Sequence, residues 1–240
     1  MLKAILMKRP HLGLRSRMHR FALSVQVWRQ QRKFDATKYW HERHRIPGHG
    51  IRAVGLDGYT IEENEKLYAE KGLQMAGYLA ADFADLTRIK MLDLGCGQGH
   101  YAKVARNLSI GTYTGVDFGS TVLGELANRY PGFNFITGDI TTDSPIFDEK
   151  YDAILLIDVI YHIVDDTKFK KLLANIQRSA KAGSVIYVTL TDKNSAPHAH
   201  MKYRSMRALS LLTKLGEVKG PDRWMSNSSI IRINVKRETV

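Results

Sequence analysis

The sequence predicts an α/β protein with a doubly wound, mostly parallel sheet, and three features of the chain support this. Apolar segments of strand length alternate with segments that carry apolar residues at helical spacing. The segment 151–157 is almost entirely apolar, as expected for a strand that is covered on both faces. The apolar segment 89–94 leads into a loop with glycines at every second position, 95–99, and then into a helical segment.

The predicted elements follow one another in a regular order, beginning with a helix. Thr60 and Glu63 form a capping box that opens a helix to about Leu86. Its apolar residues recur at helical spacing and should face the sheet: Tyr68, Met75, Leu79, Phe83 and Leu86. Strands are predicted at 89–94, 111–117, 133–137, 151–157, 184–189 and 230–235. Helices between them are predicted at 100–108, at 121–129 and from Asp165 or Asp166 to Gly183.

The composition is that of one domain with a full core and short appendages. The chain has 240 residues, 44% of them hydrophobic, and no 18 consecutive residues are all apolar, so the sequence predicts no membrane-spanning helix. The single cysteine, Cys96, excludes an internal disulfide and fits a reducing, cytoplasmic compartment. Because the loop around Cys96 requires small side chains, we expect this residue to fill space rather than to act as a nucleophile.

The net charge of +12 is unevenly distributed along the chain. Residues 1–34 hold nine Lys or Arg and no acid, residues 35–180 carry a net charge of −4, and residues 181–240 carry +7. The basic ends indicate an anionic partner, such as a membrane surface, a nucleic acid or an acidic substrate.

The basic N-terminal extension, residues 1–34, has three readings. Phe21, Val25 and Trp28 share one face at helical spacing, so the segment can form a basic amphipathic helix in peripheral contact with a membrane. It can also be an Arg-rich targeting segment for an organelle. The third reading is an extension that packs on the domain and keeps its charges in solvent.

Residues 35–58 are rich in glycine and aromatic side chains, and we expect a loop that closes over a bound ligand as a lid. Tyr39 and Trp40 are its candidate substrate contacts. Three histidines of this segment, His41, His44 and His49, lack the spacing of a closed zinc site and have no accompanying cysteine. No metal is therefore expected.

The glycine loop differs from the loop that binds dinucleotides. That motif has the spacing Gly-x-Gly-x-x-Gly and holds a pyrophosphate at a helix N-terminus. Here the spacing is Gly-x-Gly-x-Gly, and Asp93 precedes it. An acid at this point repels a pyrophosphate but suits a cationic ligand, for example a sulfonium that carries an amino group.

Residues Leu92-Asp-Leu-Gly-Cys-Gly-Gln-Gly99 closely resemble the first motif of class I S-adenosylmethionine-dependent methyltransferases. Further motifs follow in the family's order over residues 60–190. The resemblance implies a Rossmann-like, seven-stranded methyltransferase domain over residues 59–240, with S-adenosylmethionine as cofactor and S-adenosylhomocysteine as product. The cofactor-binding residues that it places in this loop are Asp93, Gly95, Cys96, Gly97 and Gly99.

Polar residues at the carboxyl ends of the next two strands are candidates for the rest of the cofactor site, because ligands of open α/β sheets bind there. Asp117 lies 22 residues beyond Gly95, which suits an acid that accepts hydrogen bonds from ribose hydroxyls. Phe118 beside it can cover the adenine face. The resemblance assigns recognition of the adenine ring to Asp139 and Ile140. The alternative is that Asp117 and Asp139 each only stabilise a turn.

The fourth strand ends in Asp158-Val-Ile-Tyr-His-Ile163, which resembles the family's fourth motif as found in many small-molecule and glycan O-methyltransferases. The resemblance places Asp158 beside the methionine part of the cofactor, as a binding and catalytic residue, and points Tyr161 and His162 toward the transfer site. His162 is the candidate general base, because an imidazole can accept a hydroxyl proton at neutral pH. The alternative is that His162 only orders the pocket.

Residues 197–204 follow the fifth strand, a position that contributes to the acceptor pocket in this fold. His198, His200, Tyr203 and Arg204 are candidate contacts to a hydroxylated or anionic acceptor. Arg204 can bind a carboxylate or phosphate through two hydrogen bonds. A polar loop is the plainer reading of this segment, and the segment around Trp224 has no clear pattern.

Together these features predict O-methylation of a small molecule, a sugar or a lipid-linked glycan by in-line transfer to a hydroxyl. One alternative is an RNA or protein methyltransferase that binds its polymer through the basic termini. Against RNA, residues 158–161 lack the two prolines that amino-methylating nucleic-acid enzymes of the family usually carry. The other alternative is a module that binds the cofactor without turnover.

Overall fold

The computed structural model describes residues 34–45, 58–143, 149–191, 200–225 and 228–236. The readings of the N-terminal extension therefore concern residues outside this part of the chain, apart from Phe34. The predictions for His49 and His198 also lie outside the described residues.

The described strands form one seven-stranded sheet with the order β3-β2-β1-β4-β5-β7-β6. These strands are β1 (Lys90–Leu94), β2 (Thr112–Asp117), β3 (Asn134–Thr137), β4 (Tyr151–Leu156), β5 (Ala180–Thr191), β6 (Gly216–Met225) and β7 (Ser228–Val235). The five strands from β3 to β5 run parallel, whereas β7 is antiparallel to β5, and β6 is antiparallel to β7. The prediction of a doubly wound, mostly parallel sheet is confirmed.

Helices cover both faces of this sheet. In the described part of the chain they are α1 (Ala36–Arg45), α2 (Ile61–Asp82), α3 (His100–Asn107), α4 (Ser120–Arg129), α5 (Asp166–Ser179) and α6 (Ser210–Thr213). Short 3₁₀ turns lie at Leu86–Arg88, Ile160–His162 and Met206–Leu209. Apolar side chains of α2, α3 and α4 pack on one face of the sheet, and those of α5 and α6 pack on the other. None of the helices described here is long and apolar enough to cross a membrane.

Local sequence signals set the ends of two helices. The capping box forms as predicted: Thr60 Oγ1 accepts from the Glu63 amide at 3.1 Å, and Glu63 Oε2 accepts from the Thr60 amide at 2.7 Å. The Asp165 side chain caps α5 by accepting from the Lys168 amide at 2.8 Å. The helix ends at Ser179 rather than at Gly183, which lies in β5 with a φ of 82°. The prediction was wrong here because that glycine belongs to an irregular start of the strand.

One further prediction was wrong in its local structure, and one segment had no prediction. Residues 36–45, expected in a lid loop, form α1, since the glycines that indicated a loop begin only at Gly48. The unassigned segment around Trp224 forms β6. Its pattern is obscured by Gly220 and Pro221, which this strand tolerates because it lies at the edge of the sheet and pairs on one side alone.

Candidate cofactor and acceptor site

A cavity of about 1290 Å³ opens beyond the carboxyl ends of the central parallel strands. It lies between the glycine loop, the ends of β2, β3 and β4, and the two helices α1 and α2. This is where open α/β sheets bind their ligands, and the volume exceeds that of a typical single-ligand pocket. The cavity can therefore hold a nucleoside-sized cofactor and a second molecule together.

The glycine loop requires glycine for both its backbone conformation and its space. Gly95 has a φ of 82°, and a Cβ on it would lie 2.5 Å from a methyl carbon of Val159. Gly99 has a φ of 75°, and a Cβ on it would lie 2.5 Å from a methyl carbon of Leu126. The amide of Gly95 donates to the Val116 carbonyl at 2.8 Å, which holds the loop against the end of β2. Such a bare backbone allows a ligand to approach closely.

Asp93 and Cys96 lie at the base of this loop and are buried. Asp93 is 1% exposed and accepts a hydrogen bond from the Tyr113 hydroxyl at 2.7 Å. Burial raises the pKa of this carboxyl to about 7. Burial also raises the pKa of the Cys96 thiol well above its usual value, so this thiol stays protonated and is a poor nucleophile. Cys96 lines the cavity with Gly95 and Gly97, whereas Asp93 and Gly99 support the loop from outside the cavity.

Asp117 is held at the end of β2 by three backbone amides. Its Oδ2 accepts from Gly97 at 2.9 Å, and its Oδ1 accepts from Phe118 at 2.7 Å and from Gly119 at 3.3 Å. The carboxylate thus couples the glycine loop to the turn after β2. Asp117 and Phe118 both line the cavity, as their predicted contacts with ribose and adenine require.

Asp139 and Ile140 also line the cavity, at the end of β3. Asp139 accepts from the Thr141 amide at 2.8 Å and from Lys168 Nζ at 3.1 Å. Although burial acts to raise the pKa of Asp139, hydrogen bonds from Thr141 and Lys168 lower it overall. The side chain thus stabilises a turn at the same point where it borders the cavity, so the two predicted roles of Asp139 are compatible.

Asp158, directly beyond β4, has a strained backbone and a buried partner. Its φ of 59° lies in the left-handed region, which non-glycine residues seldom adopt outside functional or tightly held sites. Its amide donates to Thr189 Oγ1 at 2.6 Å, and its Oδ2 lies 2.6 Å from Lys71 Nζ. The second carboxylate oxygen, Oδ1, is buried without a hydrogen-bond partner in the described part of the protein. This oxygen is available to a polar group of a bound ligand.

Sequence reasoning missed the residues that α2 and α3 contribute around Asp158. Lys71 is 3% exposed, and the phenols of Tyr68 and Tyr101 have their pKa raised by burial and by the Asp158 charge. The Tyr101 hydroxyl and His100 Nε2 are buried in the cavity wall with no partner among the described residues. The available signal was Lys71 itself, a cation on the predicted apolar face of α2.

His162 lies in the 3₁₀ turn after β4 and lines the cavity. Its Nδ1 lies 3.2 Å from the backbone carbonyl oxygen of His200. Because a carbonyl only accepts, Nδ1 carries the proton, and Nε2 of the neutral ring keeps its lone pair. Burial lowers the pKa of His162 to about 4, so the ring is neutral at physiological pH. The hydrogen bond thus fixes the tautomer that a general base at Nε2 requires.

Aromatic rings from α1 join His162 at the opening of the cavity. The rings of Tyr39 and His200 stack at 5.1 Å, and those of His200 and His162 stack at 5.6 Å. Trp40 meets His162 edge-on, with the ring centroids 4.9 Å apart. The amide of Lys202 donates to the Tyr161 carbonyl at 2.7 Å and fixes this segment beside the turn. The structure thus brings together Tyr39, Trp40, Tyr161, His162 and His200.

Two other predicted acceptor contacts lie away from the cavity. Arg204 is 6% exposed, pairs with Asp166 at 2.5 Å and lies 4.0 Å from the centre of the Phe169 ring. It also donates to the Ile163 carbonyl, so it braces the turn after β4 and does not face an acceptor. Tyr203 is 46% exposed and does not line the cavity. In the described ranges, no group of His, Cys, Asp or Glu has the arrangement of a metal site.

The comparisons with known proteins agree with this geometry. A family model described as a methyltransferase domain matches residues 91–183, the part of the chain from β1 into the start of β5. No curated protein matches the sequence.

Solved structures with the same fold include several methyltransferases of low sequence identity. The N-methyltransferase NodS from Bradyrhizobium japonicum WM9, in complex with S-adenosylhomocysteine, has a TM-score of 0.64 and 14% identity, over 84% of this chain and 99% of that chain. Magnesium protoporphyrin IX methyltransferase (ChlM) from Synechocystis PCC 6803, with bound S-adenosylmethionine, has a TM-score of 0.62 and 17% identity, over 85% of this chain and 98% of that chain. The amino pentose methyltransferase CalS10 from Micromonospora echinaspora has a TM-score of 0.57 and 13% identity, over 70% of this chain and 92% of that chain.

The fold, the glycine loop with its acid at the end of β2, and the matched domain point to one family. Residues 91–183 belong to the methyltransferase domain family, and the sheet that contains them has the fold of solved methyltransferases.

Proposed function

We propose that this methyltransferase acts on a hydroxyl group of a small molecule, a sugar or a lipid-linked glycan. The observation that supports an oxygen acceptor is the fixed tautomer of His162, a residue that lines the cavity close to the end of β4 and whose Nε2 is left unprotonated. A hydroxyl must lose a proton when it gains a methyl group, and Nε2 is an acceptor for that proton.

Different residues around the cavity suit different parts of the cofactor. The open backbone of the glycine loop suits a closely bound ligand, and Asp117 suits the two ribose hydroxyls. Phe118, Asp139 and Ile140 border the space proposed for adenine. The unpartnered Oδ1 of Asp158 suits the ammonium of the methionine part. When bound, S-adenosylmethionine supplies an electrophilic methyl group on a sulfonium.

The protein's own contribution to the reaction is to orient the acceptor, to exclude water and to take the proton. A hydroxyl that donates to His162 Nε2 is held by its hydrogen, so its oxygen lone pair is free to face the rest of the cavity. The carbonyl of His200 fixes the imidazole through Nδ1 while this happens. Rings of α1 cover the opening on the side of the acceptor.

The proposed function also includes a cellular location and a role for the basic N-terminal extension. We infer a cytoplasmic enzyme whose N-terminal extension, residues 1–34, contacts a membrane surface peripherally. The support is the single cysteine and the nine basic residues of this segment, which has no acid.

The test is the transfer of a radiolabelled methyl group from S-adenosylmethionine into a host extract that is then separated into lipid, RNA, protein and small-molecule fractions. Label in the lipid or small-molecule fraction, on an oxygen by mass spectrometry, is the expected result. Label in RNA or protein contradicts the proposal and favours a polymer-binding enzyme. Cofactor binding without label in any fraction favours a module without turnover, and label on nitrogen excludes a hydroxyl acceptor.

A further inference from the structure

The proposed acceptor end of the cavity is a corner formed by four aromatic rings. Tyr39, His200 and His162 form a column in which neighbouring rings are inclined by 16° and 15°. Trp40 is inclined by 78° to His162 and by 84° to Tyr39, so its ring stands nearly perpendicular to that column. The Trp40 ring and the side of this column therefore meet at His162.

These rings are half-buried, and all four line the cavity. Half-exposed aromatic surface in a concave site is the part of a pocket that a ligand most readily covers. Covering it is favourable, because aromatic side chains contribute large apolar areas and prefer edge-to-face or offset contacts with other rings.

Several polar side chains that the structure describes around the corner are already engaged within the protein. Asp166 pairs with Lys202 and Arg204. Asp35 accepts from the Lys38 amide at 3.0 Å, and Asp165 caps α5.

Arg43 is engaged in the same way. Its guanidinium donates to Tyr39 Oη at 3.0 Å and lies about 6 Å from the centres of the Tyr39 and Trp40 rings. A sugar presents hydroxyls on every side and needs a partner for each one that is buried. A flat ring with one reactive hydroxyl needs far fewer.

We propose that the acceptor is a flat aromatic molecule with a phenolic hydroxyl, whose ring lies in the corner formed by Trp40 and the column of Tyr39, His200 and His162. This inference rests on the proposed function and narrows its substrate class. The phenol oxygen forms a bond to the methyl carbon and gives its proton to His162 Nε2. The electron pair of the broken methyl–sulfur bond stays on sulfur, which leaves a neutral thioether.

The acidity of a phenol agrees with this assignment. Tyrosine, a phenol, has a pKa of about 10, well below that of an aliphatic hydroxyl. A neutral imidazole therefore accepts a phenolic proton more easily than a sugar proton.

The first experiment compares two ligands with the same carbon skeleton and the same hydroxyl, 2-naphthol and decahydro-2-naphthol. Only the first is flat and aromatic. Their affinities for the full-length chain saturated with S-adenosylhomocysteine are measured by calorimetry. We expect 2-naphthol to bind at least tenfold more tightly. Equal affinities, or tighter binding of the saturated alcohol, would overturn the proposal.

A pair of variants distinguishes the effect of an aromatic ring at position 40 from the effect of an apolar side chain of any kind. Trp40→Leu removes the ring and keeps an apolar side chain, whereas Trp40→Phe keeps a ring. We expect the tenfold preference to disappear in the leucine variant and to persist in the phenylalanine variant. A preference that survives in Trp40→Leu would also contradict the proposal.

Cofactor affinity distinguishes this inference from the function on which it rests. S-adenosylhomocysteine should bind the wild type and both variants equally. If it binds and the two alcohols do not differ, the aromatic acceptor is excluded while the methyltransferase function stands. If it binds none of the three proteins, the proposed cofactor site itself is wrong.

Discussion

Lys71 Nζ and Asp158 Oδ2 lie 2.6 Å apart and join α2 to the end of β4 across 87 residues of sequence. The lysine is buried, and 18% of the aspartate side chain is exposed to the cavity. The far end of α2 is held by a second ion pair, between Asp82 and Arg232 at 3.1 Å. The helix that lines this part of the cavity is thus fixed to the sheet at its middle and at its C-terminal end.

Breaking the pair between Lys71 and Asp158 should cost stability. Lys71→Met fills a similar volume but leaves the Asp158 charge without its partner. We expect the free energy of unfolding to fall by about 3 kcal/mol, the lower end of what removal of one partner from a buried pair costs. Chemical denaturation measures this change.

The double variant Lys71→Met/Asp158→Asn is the control for that prediction. Asparagine tolerates the left-handed backbone of position 158, so the strain there is unchanged. With both charges removed, the double variant should be more stable than Lys71→Met alone. If the two substitutions are simply additive, the pair does not act as a unit.

Asp117→Ala should weaken the binding of S-adenosylhomocysteine at least tenfold, about 1.4 kcal/mol. The expected cause is loss of the ribose contact, together with loss of the carboxylate that three loop amides bind. Asp143→Ala is the matched control, since Asp143 is exposed and does not line the cavity. Calorimetry that finds the same affinity in Asp117→Ala and the control would remove Asp117 from the cofactor site.

Local signals in the sequence were sufficient for the fold and for many of the residues that line the cavity. Glycine spacing, a capping box and an acid 22 residues beyond Gly95 each act within one supersecondary unit, where chain geometry fixes their neighbours. The methyltransferase domain and the fold class were predicted correctly for this reason. The contacts of Asp117 and Asp139 with a cofactor stay predictions.

Contacts between distant segments could not be predicted from local signals of this kind. No spacing rule links Lys71 to Asp158, because their approach depends on how α2 crosses the sheet. Arg204 was expected to bind an acceptor, but the same guanidinium serves equally well as a buried partner of Asp166. Sequence identifies an arginine's chemistry, whereas tertiary structure decides which carboxylate it meets.

The role of His162 should appear in the pH dependence of turnover. With a pKa of about 4, the imidazole keeps its Nε2 lone pair from pH 8 down to pH 5 and loses it as the pH falls through about 4. We therefore expect kcat/KM to show no decline near pH 6.5, where an ordinary histidine titrates. A decline centred at pH 6 to 7 that is absent from a His162 variant would contradict a buried, neutral base.

Two substitutions distinguish proton transfer from simple ordering of the pocket. His162→Gln retains hydrogen bonding but cannot take up a proton, and His162→Ala loses both. General-base catalysis predicts that both variants lose at least about 100-fold in kcat, with unchanged affinity for S-adenosylhomocysteine. A near-wild-type rate in His162→Gln would leave His162 with an orienting role alone.

Asp93 should make the stability of the protein depend on pH in an unusual direction. Its carboxyl has a pKa of about 7 when folded, because of burial, and about 3.9 in an unfolded chain. Between these values the folded state holds a proton that the unfolded state releases. Its contribution to stability is therefore complete below about pH 4 and is lost progressively as the pH rises through about 7.

Asp93→Asn removes this dependence while keeping an oxygen that can accept from the Tyr113 hydroxyl. Because the amide does not ionise, the variant should be more stable than the wild type at pH 8, and this advantage should shrink by pH 5. Denaturant unfolding of both proteins at the two pH values measures the difference. If the stability gap between them is the same at pH 5 and pH 8, Asp93 does not titrate in this range, and its carboxylate is ionised beneath the glycine loop.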